Sequence, residues 1–383
     1  MRKLIQWISK SIIASALLFP ITSIAQENKA EVAIQQIMKE NPVMGLSVAV
    51  VKNNKIIYTH SFGLKDAETN AALTDDNIFR IASISKSFSA TAIMQLVEDK
   101  KVNLDQDVSE LVGFKIRNPK FPETIITLRL MLSHLSSIND SQGYFSLDSI
   151  NPQKSVNWYK CYNNYEPGKG YEYCNLNYNM IGTIIEKVSS ERFDTYIQKH
   201  ILEPLSLYGG YYVNGLDKTK FATIYEYQPD VSKFVMSPNA YAPRTAEIAA
   251  YEMGYSTPIF SPTGGMKISA KDLATYMMMH ANYGKYNGVR IISKKSSIEM
   301  QTPMSTNRNY GFAIETTNKL IDGKIMVGHT GSAYGLYSAM FFNTEEKFGI
   351  VVISNGCHPA YNNGFNAVIR KTVNALYENL IAK

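Results

Sequence analysis

The sequence predicts an α+β protein of the mixed α/β class, an antiparallel sheet flanked by helices with a large, mostly helical lobe inserted into it. Two observations predict it: β-rich runs sit near both ends of the 383 residues, and helical periodicity fills the space between them. A third, the absence of internal repeats, long charge runs and low-complexity linkers, argues against separate modules.

A short helix is expected near Glu31 to Lys39. Gly45 to Lys52 and Lys55 to Phe62 then read as strands joined by Asn53-Asn54, a two-residue turn whose asparagines tolerate positive φ. Helical pattern follows at 84–99, 127–134, 176–189, 192–200, 270–282 and 294–301. Lys324 to His329, Leu336 to Asn343 and Phe348 to Ser354 read as three further strands, the last two turned by Thr344-Glu345-Glu346-Lys347. Asn363 to Ile381 has the periodicity of a closing helix. Pairing the first and last strands in one sheet leaves the helical region inserted between them.

The first residues read as an address. Arg2, Lys3 and Lys10 precede an apolar run from Ile12 to Ile21, and Ser23-Ile24-Ala25 offers small residues where signal peptidase reads. Residues 1–25 are therefore expected to be a signal peptide, cleaved before Gln26, of an exported, periplasmic or secreted protein. The run is too short for a membrane span, and no stable span is expected after cleavage. Loss of that segment takes the net charge from +6 to about +3, too small a bias to argue for nucleic acid. The three cysteines, Cys161, Cys174 and Cys357, do not make a disulfide scaffold, although Cys161 with Cys174 would tie down a loop if one pair closed.

Ser83-Ile84-Ser85-Lys86 is the segment with the most chemistry in it. From Ile81 to Val97 the only ionisable residue is Lys86, and Phe88, Ala90, Ala92, Ile93, Met94 and Leu96 leave no polar face. Such a lysine enters a core, where desolvation lowers its pKa. Positions three apart share a helix face, so it can take the hydroxyl proton of Ser83. That activates a serine without histidine. Two later segments extend the pattern: Tyr173-Cys174-Asn175, after the Pro/Gly turn at 167–170, and Gly328-His329-Thr330-Gly331-Ser332.

Together these resemble the three active-site elements of the serine β-lactamase and penicillin-binding protein superfamily, S-x-x-K, Y-x-N and K-T-G or H-T-G. The branch is that of class C β-lactamases, D-alanyl-D-alanine carboxypeptidases, D-aminopeptidases and related carboxylesterases. Phe79-Arg80-Ile81-Ala82, Thr127-Leu128-Arg129-Leu130-Met131-Leu132-Ser133-His134 and Ser261-Pro262-Thr263-Gly264-Gly265-Met266 are similar to that family too. The resemblance implies its fold, with residues 26–383 one catalytic domain, a sheet lobe at about 26–80 and 310–383, and a helical lobe at about 81–309.

It implies the following roles. Ser83 is the nucleophile; Lys86 and Tyr173 are its proton-handling partners, with the formal base open between them. Asn175 orients the acyl group, or caps the helix that follows. His329, Thr330 and Gly331 meet the substrate, and the backbone N–H groups of Ser83 and Ser332 form the oxyanion hole. His329 departs from the lysine usual in class C β-lactamases, and a mostly neutral imidazole attracts a carboxylate little until falling pH protonates it.

His134 reads as structural and away from the nucleophile, and Met277-Met278-Met279-His280 as core packing. Ser137 and Ile138 stand where relatives commonly have Gly and Leu. Tyr144, Trp158, Tyr159, Tyr162, Tyr165 and Tyr171 either line a pocket or pack a loop. No His, Cys and carboxylate spacing suits zinc, and neither metal nor organic cofactor is implied. The expected function is an exported serine acyl hydrolase or acyl transferase. Its partner is a small molecule or peptide bearing an ester, amide or lactam carbonyl, with esters or D-amino-acid peptides ahead of β-lactams. The rival is a non-catalytic cell-wall or ligand-binding protein on the same scaffold.

Overall fold

The computed structural model describes residues 26–305 and 308–382, so the expected signal peptide at 1–25 lies outside the described residues. Residues 26–40 form helix α1. Among the described residues the main sheet has seven strands: β1 (Val43–Lys52), β2 (Lys55–Asp66), β3 (Ala71–Ala72), β4 (Glu315–Thr317), β5 (Met326–Ala333), β6 (Leu336–Asn343) and β7 (Phe348–Cys357). Their order is β4-β5-β6-β7-β1-β2-β3, antiparallel throughout. The first strand thus pairs with the last, as the sequence predicts, and everything from about 79 to 310 is inserted between them.

The β1–β2 turn has Asn53 at φ 50° and Asn54 at φ 62°, the double positive φ that a two-residue hairpin requires. Alternation along the strands sorts two cores. Val48, Val50, Phe341, Ile350 and Val352 face one apolar cluster with α1 and the closing helix α5. Ala49, Val51, Phe342, Val351 and Ile353 face the other, which holds the inserted helices. Of these, α2 (Ser85–Glu98), α3 (Asn175–Ser189) and α4 (Ala270–Ala281) position the site, and α5 is Ala367–Leu376. Phe88 of α2 stacks on Tyr276 of α4 with ring centroids 3.7 Å apart.

Several expectations need adjusting. The strand expected at Lys324 to His329 runs instead from Met326 to Ala333, which puts the whole His-Thr-Gly motif in its body. The helix expected at 127–134 covers only Leu128–Leu132, because His134 turns to φ 60°. Strands β3 and β4, and a three-strand patch of Phe79–Arg80, Gly209–Gly210 and Lys267–Ile268, are too short to show a period and were not foreseen. Cys161 and Cys174 form no disulfide. Both are buried thiols, donating to the Ser149 carbonyl and to Asp140 Oδ1 respectively.

His280 is core, as expected, and fully buried. Burial alone pushes its pKa down to about 3, so the unfolded chain takes up a proton near pH 6.5 and the folded one does not. Stability contributed by keeping it neutral is therefore complete above about 6.5 and is lost as pH falls toward 3, by about 1.4 kcal/mol per unit. His280→Gln should flatten the acid limb of urea-measured stability by one proton between pH 6 and 4; an unchanged slope would show that His280 is solvated or already charged.

Candidate active site

The site grows from the start of α2. Ala82–Ile84 form a tight helical turn that runs straight into α2, with Ala82 held at a left-handed φ of 47°. Ile81 N donates to the Met266 carbonyl (3.0 Å), Met266 N donates to Ser85 Oγ (3.0 Å), and Ser338 Oγ donates to the Ile81 carbonyl (3.1 Å). Strand β5 comes so close that a Cβ on Gly331 would lie 2.2 Å from the Ile81 carbonyl oxygen. Glycine is therefore what lets β5 approach the turn that carries Ser83.

Ser83 is half-buried at this junction, and Lys86, one turn on, is fully buried. Lys86 Nζ reaches three oxygens: Asn175 Oδ1 at 2.8 Å, the Thr263 carbonyl at 3.0 Å and Ser83 Oγ at 3.1 Å. None is a carboxylate. Burial accordingly pulls its pKa down to about 7, with Asp140 and Cys174 opposing the fall. The Thr263 carbonyl is brought there by the loop 261–264, which rests on α3 where a Cβ on Gly182 would meet Pro262 Cγ at 2.3 Å.

Tyr173 places its ring centroid 4.7 Å from Lys86 Nζ. Its hydroxyl is buried with no hydrogen-bond partner among the described residues, and burial pushes its pKa well up, partly offset by the neighbouring Ser83 hydroxyl. Tyr173 is thus a neutral phenol in the resting site. Asn175, the first residue of α3, accepts from Lys86 and from Thr263 Oγ1 (2.8 Å) on its Oδ1 and donates from Nδ2 to Asp140 Oδ2 (2.9 Å).

His134 corrects the expectation that it lies away from the nucleophile. Its ring is 4.4 Å from that of Tyr173, and its Nδ1 accepts from Cys174 N at 3.1 Å. Burial and Lys86 hold it neutral, so its part is to pin the Tyr173 segment from behind. No local pattern marks that contact, since 40 residues separate the two partners.

On the far wall, β4 covers β5 only at Met326 to Gly328, leaving His329 to Ala333 unpaired on that side. His329 is buried, bonded through Nε2 to the Tyr310 hydroxyl (3.0 Å) and donating from Nδ1 to the Thr330 carbonyl. Burial and Lys86 push its pKa down to about 3. That direction runs against the expected protonation of His329 in the neutral range and favours a neutral imidazole beside Thr330.

Ser83, Tyr173, Asn175, His329, Thr330 and Ser332 line one cleft of about 880 Å³, with Gly331 packed behind it against Ile81. Tyr144 and Tyr171 also line it. Trp158 and Tyr162 pack the preceding loop instead, Tyr165 accepts from Asn163 Nδ2 there, and Tyr159 is exposed. Charged groups the sequence did not single out also face this space, namely Arg80, Arg308 and Glu315. Ser137 takes φ 64°, a left-handed conformation that favours glycine, and donates its hydroxyl to the Tyr165 carbonyl. Among the described residues no group of three His, Cys, Asp or Glu could hold a metal. No helix among them is long and apolar enough to cross a membrane.

Comparison with known proteins adds the family. Residues 31–373 match the family model described as Beta-lactamase. The chain belongs to the beta-lactamase family. Among family relatives, Protein flp of Staphylococcus aureus (strain MRSA252) is 24% identical over 346 residues, 86% of this chain and 63% of flp. The chain thus spans a little under two thirds of the length of that curated relative. An octameric penicillin-binding protein homologue from Pyrococcus abyssi is 26% identical, with a TM-score of 0.72 over 92% of this chain and 78% of the other. EstCE1, described as a hydrolase with promiscuous acyltransferase activity, is 18% identical and shares the fold at a TM-score of 0.73, covering 92% and 99%.

The spacing of the two walls is open to test. Gly331→Ala should force β5 away from the Ser83 turn and slow acylation by an activated ester about 10²-fold, with the fold kept by circular dichroism. Acylation at the native rate would show that Gly331 does not set that spacing.

Proposed function

We propose that this protein is an exported serine acyl hydrolase or acyl transferase that works through an acyl-enzyme on Ser83, with esters or D-amino-acid peptides as substrates. One observation carries the reading. A neutral lysine has two N–H bonds and one lone pair, and Lys86 has two acceptors besides Ser83, Asn175 Oδ1 and the Thr263 carbonyl. With its hydrogens directed to those, its lone pair points at Ser83 Oγ, 3.1 Å away.

The pKa directions favour Lys86 over Tyr173 as the base. Lys86, pulled down to about 7, has a sizeable neutral fraction at physiological pH, whereas Tyr173 is pushed up and keeps its proton. Ser83 Oγ attacks the substrate carbonyl as Lys86 takes its proton. The oxyanion that forms is held by the N–H groups of Ser83 and Ser332. The proton then passes by way of the Tyr173 hydroxyl to the leaving group, whose bond to the acyl carbon breaks. Water or an alcohol or amine acceptor attacks the ester, the same groups shuttle the proton, and Ser83 is restored. The description of EstCE1 as a hydrolase with acyltransferase activity supports leaving both acceptors open. The low pKa of His329 removes one source of carboxylate attraction, in keeping with β-lactams as the lesser substrates.

Ser83→Ala should give no covalent adduct with a fluorophosphonate or p-nitrophenyl acetate by mass spectrometry while the wild type labels stoichiometrically. An adduct of equal size on the alanine variant contradicts the assignment. Failure of the wild type to label favours the non-catalytic binding protein.

The base assignment has its own test. Because the neutral amine is the active form, the wild-type acylation rate should rise with pH through about 7 and level off above it. Lys86→Arg should be about as inactive as Lys86→Ala, since guanidinium keeps its proton. Substantial turnover by the arginine variant would mean that only positive charge matters.

A further inference from the structure

We propose that Asp140 is a positioning residue: it fixes the orientation of the Asn175 amide, and through it the direction in which Lys86 offers its lone pair to Ser83. The inference rests on the Ser83–Lys86 reading above. An ionised carboxylate can only accept hydrogen bonds. Asp140 Oδ2 accepts from Asn175 N (2.8 Å) and Asn175 Nδ2 (2.9 Å), while Oδ1 accepts from Leu176 N (2.9 Å) and the Cys174 thiol (3.2 Å). The nitrogen end of the Asn175 amide is thereby locked toward Asp140. Its oxygen end must then face Lys86 and Thr263 Oγ1, the two donors that fill it.

The opposite orientation would matter chemically. An Asn175 flipped by half a turn would aim N–H at Lys86, compete with Ser83 for the amine's lone pair and leave the Thr263 hydroxyl without its acceptor. Asp140 also supplies the cap that α3 lacks in its own sequence, since Cys174 at the cap position makes no side-chain capping bond. Its loop is seated on the same helix by Ser136 Oγ, which donates to Asn177 Oδ1 at 3.0 Å, and is tied to the preceding loop by Asn139 N, which donates to the Cys161 carbonyl at 2.8 Å. One carboxylate 35 residues upstream thus joins the helix that carries Asn175 to the orientation of its side chain.

Asp140 is also the main negative charge near Lys86. The other groups facing the amine are Ser83 on the adjoining turn, Tyr173, Cys174 and Tyr178 from α3 and its approach, His134, and His329 from β5. Both histidines are held neutral, so none of these offsets the loss of the carboxylate.

The test uses Asp140→Asn and Asp140→Ser, which remove the charge and the paired carboxylate oxygens that accept from Asn175 and Leu176. Acylation by p-nitrophenyl acetate is followed by stopped flow from pH 5 to 9, alongside the thermal midpoint. The expected result is a plateau about 10²-fold below wild type and a rising limb displaced about one unit to lower pH, with a thermal midpoint lowered by no more than the loss of a helix cap. A purely structural cap would lower the midpoint and leave the plateau within about twofold of wild type, since the charge alone moves the limb. A limb that does not move, or a plateau within about twofold of wild type, overturns the proposal. A wild type with no limb near 7 brings down the Lys86 reading itself, before either variant is compared.

Discussion

A lysine amine with no carboxylate among its contacts, fully removed from water, is the constraint on which the rest of this site depends. Keeping an unpaired ammonium in the interior costs several kcal/mol, and the group escapes most of that cost by giving up its proton. A direct ion pair would have stabilised the charged form and abolished the base. The structure instead surrounds Lys86 with neutral oxygens and sets the one nearby carboxylate, Asp140, behind the Asn175 amide. The amine is thus tuned by that charge without touching it.

The fold supplies this environment by bringing three distant pieces of chain onto one helix start. Ser83 and Lys86 come on α2; Asn175 comes on α3, pinned from behind by His134; the Thr263 carbonyl comes on a loop admitted by the bare backbone of Gly182. Strand β5 closes the cleft from the sheet side, and Gly331 sets how near it comes. The polar side chains of α2 each find a partner, as when Ser85 accepts from Met266 N and Ser89 donates to the Pro262 carbonyl. A helix buried on nearly all sides therefore leaves few polar atoms unsatisfied, Gln95 Oε1 among them.

Much of this was legible in the chain because it is written at short range. The Asn53-Asn54 hairpin, the strand runs at both ends and the i, i+3 relation of Ser83 to Lys86 each depend on neighbours a few residues apart. The apolar run around Lys86 announced its burial for the same reason. Asp140 and Thr263 were illegible as site residues because their meaning lies in contacts 35 and 177 residues away, to Asn175 and Lys86. His134 was misread as remote because its helix ends early and the left-handed turn at that residue swings the ring under Tyr173. His329 was read as mostly neutral with an ordinary titration, whereas burial and Lys86 push its pKa down. Sequence does not show that Tyr310 and a backbone carbonyl enclose it.

The claim that a buried, proton-poor lysine underlies the chemistry is tested most directly by reading the amine itself. Nitrogen-15 NMR of the protein with labelled lysine, assigned with Lys86→Arg, would follow Lys86 Nζ from pH 5 to 10. The account predicts a titration midpoint near 7. A midpoint near 10.5, the value of a lysine in water, would mean that Lys86 stays an ammonium at working pH and would contradict its role as the base.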